Sequence, residues 1–230
     1  MTARQLSFDL PHKSALARGD FLVSEANRTA VEWIDLWPNW PEPVLLLYGP
    51  GGCGKTHLLE VWRRQSGALE LAVAEIADVV EGLHPAIAAG RPVVLDDADK
   101  VCASGEAQDA LFHLINMVRD GGTGLLLAAA TPPARWPLTL ADLRSRLNAA
   151  QLVAIGQPDD ILLTALMKKL FRDRQLRVSN NVIDYLMPRI DRSFESVLTT
   201  VERLDRLALS HGRAVTRDLA KSCLAYGQDC

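Results

Sequence analysis

The chain has 230 residues, of which 48% are hydrophobic and 23% charged, the composition of an ordinary globular protein. Its net charge of −3 and pI of 6.0 exclude the strongly basic surface on which sequence-independent binding to nucleic acid depends. The longest apolar runs, residues 44–48 and 125–130, fall far short of the roughly 20 residues of a membrane span, and the N-terminus lacks the apolar stretch of a signal peptide. We therefore expect a cytoplasmic protein with no membrane partner, in which the four cysteines are reduced.

Apolar runs alternate with helical patterns over the first two thirds of the chain. We expect a mobile tail over residues 1–20, followed by a helix that Ser24 caps and Pro38 ends. Short apolar runs predict five buried strands, at residues 44–49, 69–74, 92–97, 124–131 and 151–155. Helical spacing predicts helices at residues 55–65, after Ser104 as far as the glycine pair 121–122, and at 139–147. Residues 21–156 are therefore predicted to form an α/β core with a parallel five-stranded sheet and helices on both faces.

Beyond Pro158 the pattern is helical only. Helices are predicted over residues 159–175, 181–190, 193–210 and 216–226, so that residues 157–230 form a small helical bundle. The five tryptophans are predicted to pack in the core or in an interface, because they are not interleaved with the basic residues that single-strand binders require.

The segment GPGGCGKT, residues 49–56, lies between the first predicted strand and its helix and matches the P-loop pattern GxxxxGK[ST]. Glycines allow successive backbone N–H groups to surround phosphate oxygens, and the following helix N-terminus adds its dipole. Lys55 is expected to contact the β- and γ-phosphates, and the Thr56 hydroxyl to bind Mg²⁺. A glycine-rich turn without a ligand is the alternative. The predicted nucleotide-binding residues are Pro50, Gly51, Gly52, Cys53, Gly54, Lys55, Thr56 and His57.

The third predicted strand ends in two carboxylates, Asp96 and Asp97, at the edge of the sheet where ligands of α/β proteins bind. Asp96 is expected to hold Mg²⁺ through water, and Asp97 to polarise an attacking water. The alternative is a solvated strand end. Because Asp97 stands where many such ATPases carry the longer glutamate, fast turnover is not assured.

The order of P-loop, paired aspartates, LRSRL helix and helical bundle resembles the AAA+ ATPases, and within them the DnaA branch. FLVSEAN (21–27), GKTHLL (54–59) and residues 106–133 are similar to the corresponding DnaA stretches. The resemblance implies an AAA+ core with a C-terminal helical lid and bound ADP or ATP. It assigns Arg146 as an arginine finger acting in trans, with Arg144 as the fallback, and Arg192 in DRSFESVL as the sensor-2 arginine. The alternatives are an Arg146 paired with Asp142 and an Arg192 that only caps a lid helix.

The N-terminal QLSFDL (5–10) is similar to the motif with which Hda-like regulators of the DnaA branch bind the replicative sliding clamp. Gln5 offers an amide for polar contacts, and Leu6, Phe8 and Leu10 can fill an apolar pocket. Since the sequence stops at Cys230, without a basic helix-turn-helix domain, we expect no direct sequence-specific DNA binding. The resemblance implies a negative regulator of replication initiation that, on the clamp, stimulates hydrolysis of DnaA-bound ATP. A tail without a partner is the alternative.

One stretch departs from the DnaA pattern. Where DnaA-like proteins carry polar residues near the γ-phosphate, this chain has alanines at positions 128–130, and Thr131 is the only hydroxyl. At most a weak ATPase activity of its own is therefore expected, and a homo-oligomer is possible. Two other functions stay open: a helicase-loader type of replication ATPase, and a DnaA-like interaction module in which the nucleotide is structural.

Overall fold

The computed structural model describes residues 22–82, 85–211 and 214–225, so the predicted tail and its QLSFDL motif lie outside the described residues. Within them, five parallel strands form one sheet in the order β2-β3-β4-β1-β5. The predicted α/β fold with a five-stranded parallel sheet is confirmed. The strands are β1 (Val44–Tyr48), β2 (Leu69–Leu71), β3 (Val93–Leu95), β4 (Leu125–Ala129) and β5 (Gln151–Ala154).

The strand register brings three strand ends together. Leu46 of β1 pairs with Leu127 of β4 on one side and with Leu152 of β5 on the other. Leu127 in turn pairs with Leu95 of β3. Because β4 lies between β1 and β3 and all three are parallel, the segments that follow these strands emerge side by side at one edge of the sheet.

Helices cover both faces of the sheet, because successive strand residues point to opposite sides. Leu45 and Leu47 of β1 are buried in a cluster with α1 and α2, whereas Leu46 is buried with residues of α3, α5 and α6. Apolar residues therefore occupy both faces of each central strand, as in other covered parallel sheets. The helices are α1 (Arg28–Asp35), α2 (Lys55–Ser66), α3 (Ile76–Glu81), α4 (Pro85–Ala88), α5 (Gly105–Asp120) and α6 (Ala141–Asn148).

Four further helices, α7 (Asp160–Asp173), α8 (Asn180–Leu186), α9 (Phe194–His211) and α10 (Arg217–Ala225), pack around a separate apolar core. Asp159 caps α7, since its Oδ1 accepts a hydrogen bond from the backbone N–H of Leu162 at 2.7 Å. None of the helices within the described ranges is long and apolar enough to cross a membrane.

Two local expectations differ from the structure. The first helix begins at Arg28, so the prediction that Ser24 caps it is wrong. Instead, the buried side-chain amide of Asn27 turns back along the chain. It accepts from the Ser24 N–H at 2.8 Å and donates to the Leu22 carbonyl at 3.0 Å. The second strand ends at Leu71, before a 3₁₀ turn over residues 73–75, and α3 and α4 lie where no element was predicted.

Ser104 caps α5 as predicted, with its Oγ accepting from the Ala107 N–H at 3.1 Å. The tryptophans also pack as predicted. Trp40 stacks on the buried Trp62 with ring centroids 5.1 Å apart, and Trp37 contacts both rings edge-on. A Cβ on Gly124 would come within 2.3 Å of the Trp37 ring, so glycine is needed directly before β4.

An ion cluster on α2 stabilises the helix that follows the P-loop. Glu60 accepts hydrogen bonds from Arg63 and Arg64, both at 2.5 Å, and Arg63 lies 3.6 Å from Glu70. The hydrogen bond from Arg63 is the main cause that lowers the pKa of Glu60 to about 2. A lowered pKa in the folded state means that this carboxylate stabilises the fold above its unfolded pKa of about 4.5, and that the contribution disappears as the pH falls through 2.

We therefore expect Glu60→Gln to lower the free energy of unfolding at pH 7 by about 0.5–1 kcal/mol, because the two arginines are partly exposed and solvent screens the pair. The difference from wild type should shrink steadily between pH 5 and pH 2, as measured by urea unfolding across this range. Glu70→Gln is the matched control: Glu70 is 71% exposed and should change stability by a few tenths of a kcal/mol at most. A pH-independent loss for Glu60→Gln would show that packing, and not the charge, is responsible.

Candidate phosphate site and arginine helix

The P-loop connects β1 to α2 and takes a backbone conformation that glycine permits. Gly52 and Gly54 have φ angles of +70° and +97°, in the left-handed region where other residues are strained. The N-terminus of α2 has no side-chain cap, so its first N–H groups are directed to the site. The eight consecutive residues predicted to bind nucleotide, from Pro50 to His57, lie in this loop or in the first turn of α2.

Lys55 reaches back into the loop. Its Nζ donates to the Gly49 and Pro50 carbonyls at 2.8 and 3.0 Å and lies 3.9 Å from the sulfur of Cys53. Cys53 is 1% exposed, and burial raises the pKa of its thiol, against the opposing charge of Lys55. Cys53 is therefore a neutral, buried residue of the loop, and the Lys55 ammonium supplies the positive charge of the site.

Thr56 in the first turn of α2 meets Asp96, the residue directly after β3. The Thr56 Oγ1 donates to Asp96 Oδ2 at 2.6 Å, and the other carboxylate oxygen accepts from the Asp97 N–H at 2.8 Å. A hydroxyl and a carboxylate oxygen are ligands suited to Mg²⁺. Over the described ranges, no three His, Cys, Asp or Glu residues lie close enough to hold a metal, so Mg²⁺ here would take its other ligands from water and phosphate.

Asp97 has two features that the sequence did not reveal. Its φ of +52° places a non-glycine residue in the left-handed region, a conformation that costs of order 1 kcal/mol and is often found at functional sites. Its carboxylate is bound to Lys100 at 2.6 Å, and this hydrogen bond raises the pKa of the lysine. The carboxylate predicted to polarise water is thus held by a neighbouring cation, three residues along the chain.

The end of β4 lies between these two parts of the site. Ala128 and Ala129 are fully buried, so they offer no contact to a ligand. The Ala130 N–H donates to Asp99 at 3.3 Å, and the Thr131 carbonyl accepts from the indole of Trp136 at 2.8 Å. These bonds fix the backbone of the stretch where DnaA-like proteins carry polar residues near the γ-phosphate, and Thr131 is half-buried there.

The lid contacts the P-loop directly. The Phe194 N–H donates to the Gly52 carbonyl at 3.1 Å, and a Cβ on Gly52 would lie 2.4 Å from the Cβ of Ser193. A Cβ on Gly54 would lie 3.0 Å from the Phe194 ring. The lack of a side chain at these glycines thus lets the start of α9 approach the loop, a contact across some 140 residues that no local sequence pattern signals.

Arg192 immediately precedes this contact, but its guanidinium is bound elsewhere. It lies 2.9 Å from Asp160 at the start of α7, and both side chains are more than half exposed. The prediction that Arg192 contacts phosphate therefore requires the guanidinium to leave Asp160.

The two arginines of LRSRL differ in their surroundings. Leu143 and Leu147 anchor α6 in the core on the face opposite α2. Arg144 donates to the Leu138 carbonyl, within its own chain. Arg146 is half-buried and makes no hydrogen bond or ion pair with any residue in the described part of the chain, so the alternative pairing with Asp142 is not formed.

Comparison with known proteins bears on both parts of the chain. Residues 160–224 match the family model described as the Hda lid domain. The structure is similar to domain III of the replication initiation protein DnaA from Thermotoga maritima, with a TM-score of 0.80 and 18% identity over 94% of this chain and 98% of that one. AMPPCP-bound DnaA from Aquifex aeolicus gives a TM-score of 0.68 and 22% identity over 84% of this chain and 65% of that one.

Two curated relatives also match most of this chain. An uncharacterized protein of Haemophilus influenzae is 24% identical over 80% of this chain and 82% of its own length. The replication factor C large subunit of Sulfurisphaera tokodaii is 28% identical over 86% of this chain, which spans only 46% of that subunit.

The chain therefore shares the fold of DnaA domain III: a P-loop on a β2-β3-β4-β1-β5 sheet, with a helical lid against the loop. The four C-terminal helices match the Hda lid model, and the whole chain is similar in fold to domain III of DnaA.

Proposed function

We propose that this protein is a negative regulator of replication initiation that, held on the sliding clamp, stimulates hydrolysis of the ATP bound to DnaA. The observation that carries the proposal is Arg146: on a DnaA-like core with an Hda-type lid, it is half-buried and unpaired within the described residues, whereas Arg144 is bound to its own chain. An arginine fixed by its helix but without an ion-pair partner is available to a phosphate on another molecule.

The position of α6 supports action in trans. Because Leu143 and Leu147 anchor this helix on the face of the sheet opposite α2, Arg146 belongs to a different side of the core from its own P-loop. In the proposed reaction, water attacks the γ-phosphorus of the ATP on DnaA, and the bond to the β-phosphate oxygen breaks to give ADP and phosphate. The planar guanidinium of Arg146 offsets the charge that builds on the transferring group.

We further propose that the P-loop of this chain holds ADP or ATP with Mg²⁺. The conformations of Gly52 and Gly54 leave backbone N–H groups accessible to phosphate oxygens. On binding, the Lys55 ammonium would leave the loop carbonyls and donate to phosphate instead. Thr56 and Asp96 would hold the metal. Bound nucleotide would supply the negative charge that these donors are arranged to receive.

The chain's own hydrolysis is expected to be weak at most. The Asp97 carboxylate is shared with Lys100, and Thr131 is the only hydroxyl among residues 128–131. Both features favour a protein that retains its nucleotide as part of its structure and acts on that of a partner. A second copy of the chain in the active assembly is compatible with this proposal.

The first test concerns the P-loop. Lys55→Ala should weaken ADP binding by about 10- to 100-fold in calorimetry, because it removes a charge-assisted contact to phosphate. Lys168→Ala, which removes an exposed lysine of the lid, is the control and should bind as wild type does. Undiminished ADP affinity of the Lys55 variant would defeat the assignment of this loop.

The second test concerns clamp binding. Removing residues 1–11, or replacing Gln5 and Leu6 by alanine, should abolish co-elution with the sliding clamp while the melting temperature stays unchanged. The reason is that the motif lies outside the predicted core, so its loss removes only the contacts to the clamp. Alanine substitution of His12 and Lys13, just beyond the motif, is the matched control. If the truncated protein binds the clamp with undiminished affinity, QLSFDL has no role in clamp binding.

The third test concerns the finger. Arg146→Ala should reduce the stimulated hydrolysis by a factor on the order of 10³, the lower range for fingers supplied in trans, while nucleotide and clamp binding persist. Arg146→Lys should be nearly as impaired, because an ammonium cannot meet two phosphate oxygens at once. The readout is ADP formed on DnaA with clamp, DNA and this protein present. Arg135 is an exposed arginine before α6, so Arg135→Ala is the control and should retain full stimulation. Full stimulation by Arg146→Ala would contradict the assignment and make Arg144 the next candidate.

A further inference from the structure

A buried amide on α5 binds the segment that leads into α6. Gln108 is 2% exposed and lies among the apolar residues of its helix. Its Oε1 accepts three hydrogen bonds: from the Thr139 N–H at 2.9 Å, from the Thr139 hydroxyl at 3.1 Å and from the Leu140 N–H at 3.2 Å. One side-chain oxygen thus satisfies every donor that Thr139 and the residue after it present.

These bonds are made where α6 has no cap of its own. Leu140 is the residue directly before the helix, and its apolar side chain accepts no hydrogen bond. The lead-in segment is also held from the other side, since Arg144 donates to the Leu138 carbonyl. The start of α6 is therefore fixed between Gln108 on α5 and an arginine on α6 itself.

The consequence for Arg146 follows from the length of the helix. α6 has only eight residues, and Arg146 lies six residues after Leu140, about 9 Å along the axis. Leu143 and Leu147 set the distance between this short helix and the core. Two leucines on one face define less well its rotation about its axis and its position along that axis. The three bonds to Gln108 fix these at the N-terminal end.

We propose that Gln108 is the positioning residue for Arg146. This inference rests on the proposed function, because it assigns Gln108 to the same reaction. Without the acceptor oxygen, the Thr139 and Leu140 N–H groups have to turn to water, and α6 moves with them. Misplacement of a catalytic group by about 1 Å is worth on the order of 10²-fold in rate, so a small shift of the helix is enough.

The test uses Gln108→Met, which keeps the length of the side chain and removes the acceptor, and Gln108→Glu, which keeps an acceptor oxygen. Gln108→Met should lower the maximal rate of DnaA-bound ATP hydrolysis by about 10- to 100-fold. The concentration that gives half-maximal stimulation, the ADP affinity and clamp binding should stay as in wild type. Gln108→Glu should recover most of the rate.

Ser104→Ala is the control for stability alone. It removes the cap of the same helix α5 without touching the lead-in segment, so it should lower the melting temperature but leave the stimulated rate unchanged. Amide hydrogen exchange gives a second readout: Gln108→Met should speed exchange at Thr139 and Leu140, and Ser104→Ala should not.

Arg146→Ala, measured in the same assay, distinguishes a failure of the proposed finger from a failure of the positioning role. If Arg146→Ala retains full stimulation, the proposed finger is wrong whatever Gln108 does. If it abolishes stimulation but Gln108→Met retains the wild-type maximal rate, the positioning role is overturned. The double variant should be no slower than Arg146→Ala alone.

If Gln108→Met does not fold, Thr139→Val is the substitute, because it removes one of the three donors at an exposed position. Thr139→Val should lower the same maximal rate a few-fold. A wild-type maximal rate would count against the proposal.

Discussion

Burial of the sheet on both faces is the constraint on which the site depends. Leu45 and Leu46 of β1 lie 1% and 0% exposed on opposite faces, so neither face can carry polar chemistry. Only the carboxyl edge, where the chain turns from strand to helix, is left for charged groups. Because β4 lies between β1 and β3, the P-loop, the end of β4 and Asp96 lie side by side at that edge. The hydrogen bond from Thr56 to Asp96, at 2.6 Å, joins the two outer parts.

The lid is joined to this edge through the glycines of the P-loop. Phosphate binding requires bare backbone at Gly52 and Gly54, and the same lack of side chains admits Ser193 and Phe194. The start of α9 is therefore bound to the loop, and the rest of the helix packs in the apolar core of the lid.

The sequence predicts those parts of the site whose chemistry lies in a contiguous segment. GPGGCGKT is one such segment, since its glycines and Lys55 act through neighbouring backbone. The meeting of Thr56 with Asp96, 40 residues apart, was predictable only because parallel strands share an edge. The bonds of Gln108 to the segment before α6 follow no such rule, because they depend on how two helices pack. The Ser24 cap failed for a local reason: Asn27 lies directly before the helix, and its amide binds the Ser24 N–H and the Leu22 carbonyl.

The same packing separates the protein's own site from its proposed action on a partner. Asp97 is bound to Lys100, and Arg192 to Asp160, so the groups that would assist hydrolysis at this P-loop are occupied within the chain. Arg146 alone among the residues assigned to hydrolysis has no partner in the described part of the chain, and it stands on a helix fixed by two buried leucines and a buried amide. Both ion pairs are exposed, so releasing either one costs little free energy. The unpaired guanidinium of Arg146 has no such bond to give up. Arg146 can therefore meet an anion on another molecule without losing a hydrogen bond or ion pair in the described part of the chain, which is what the proposed action in trans requires.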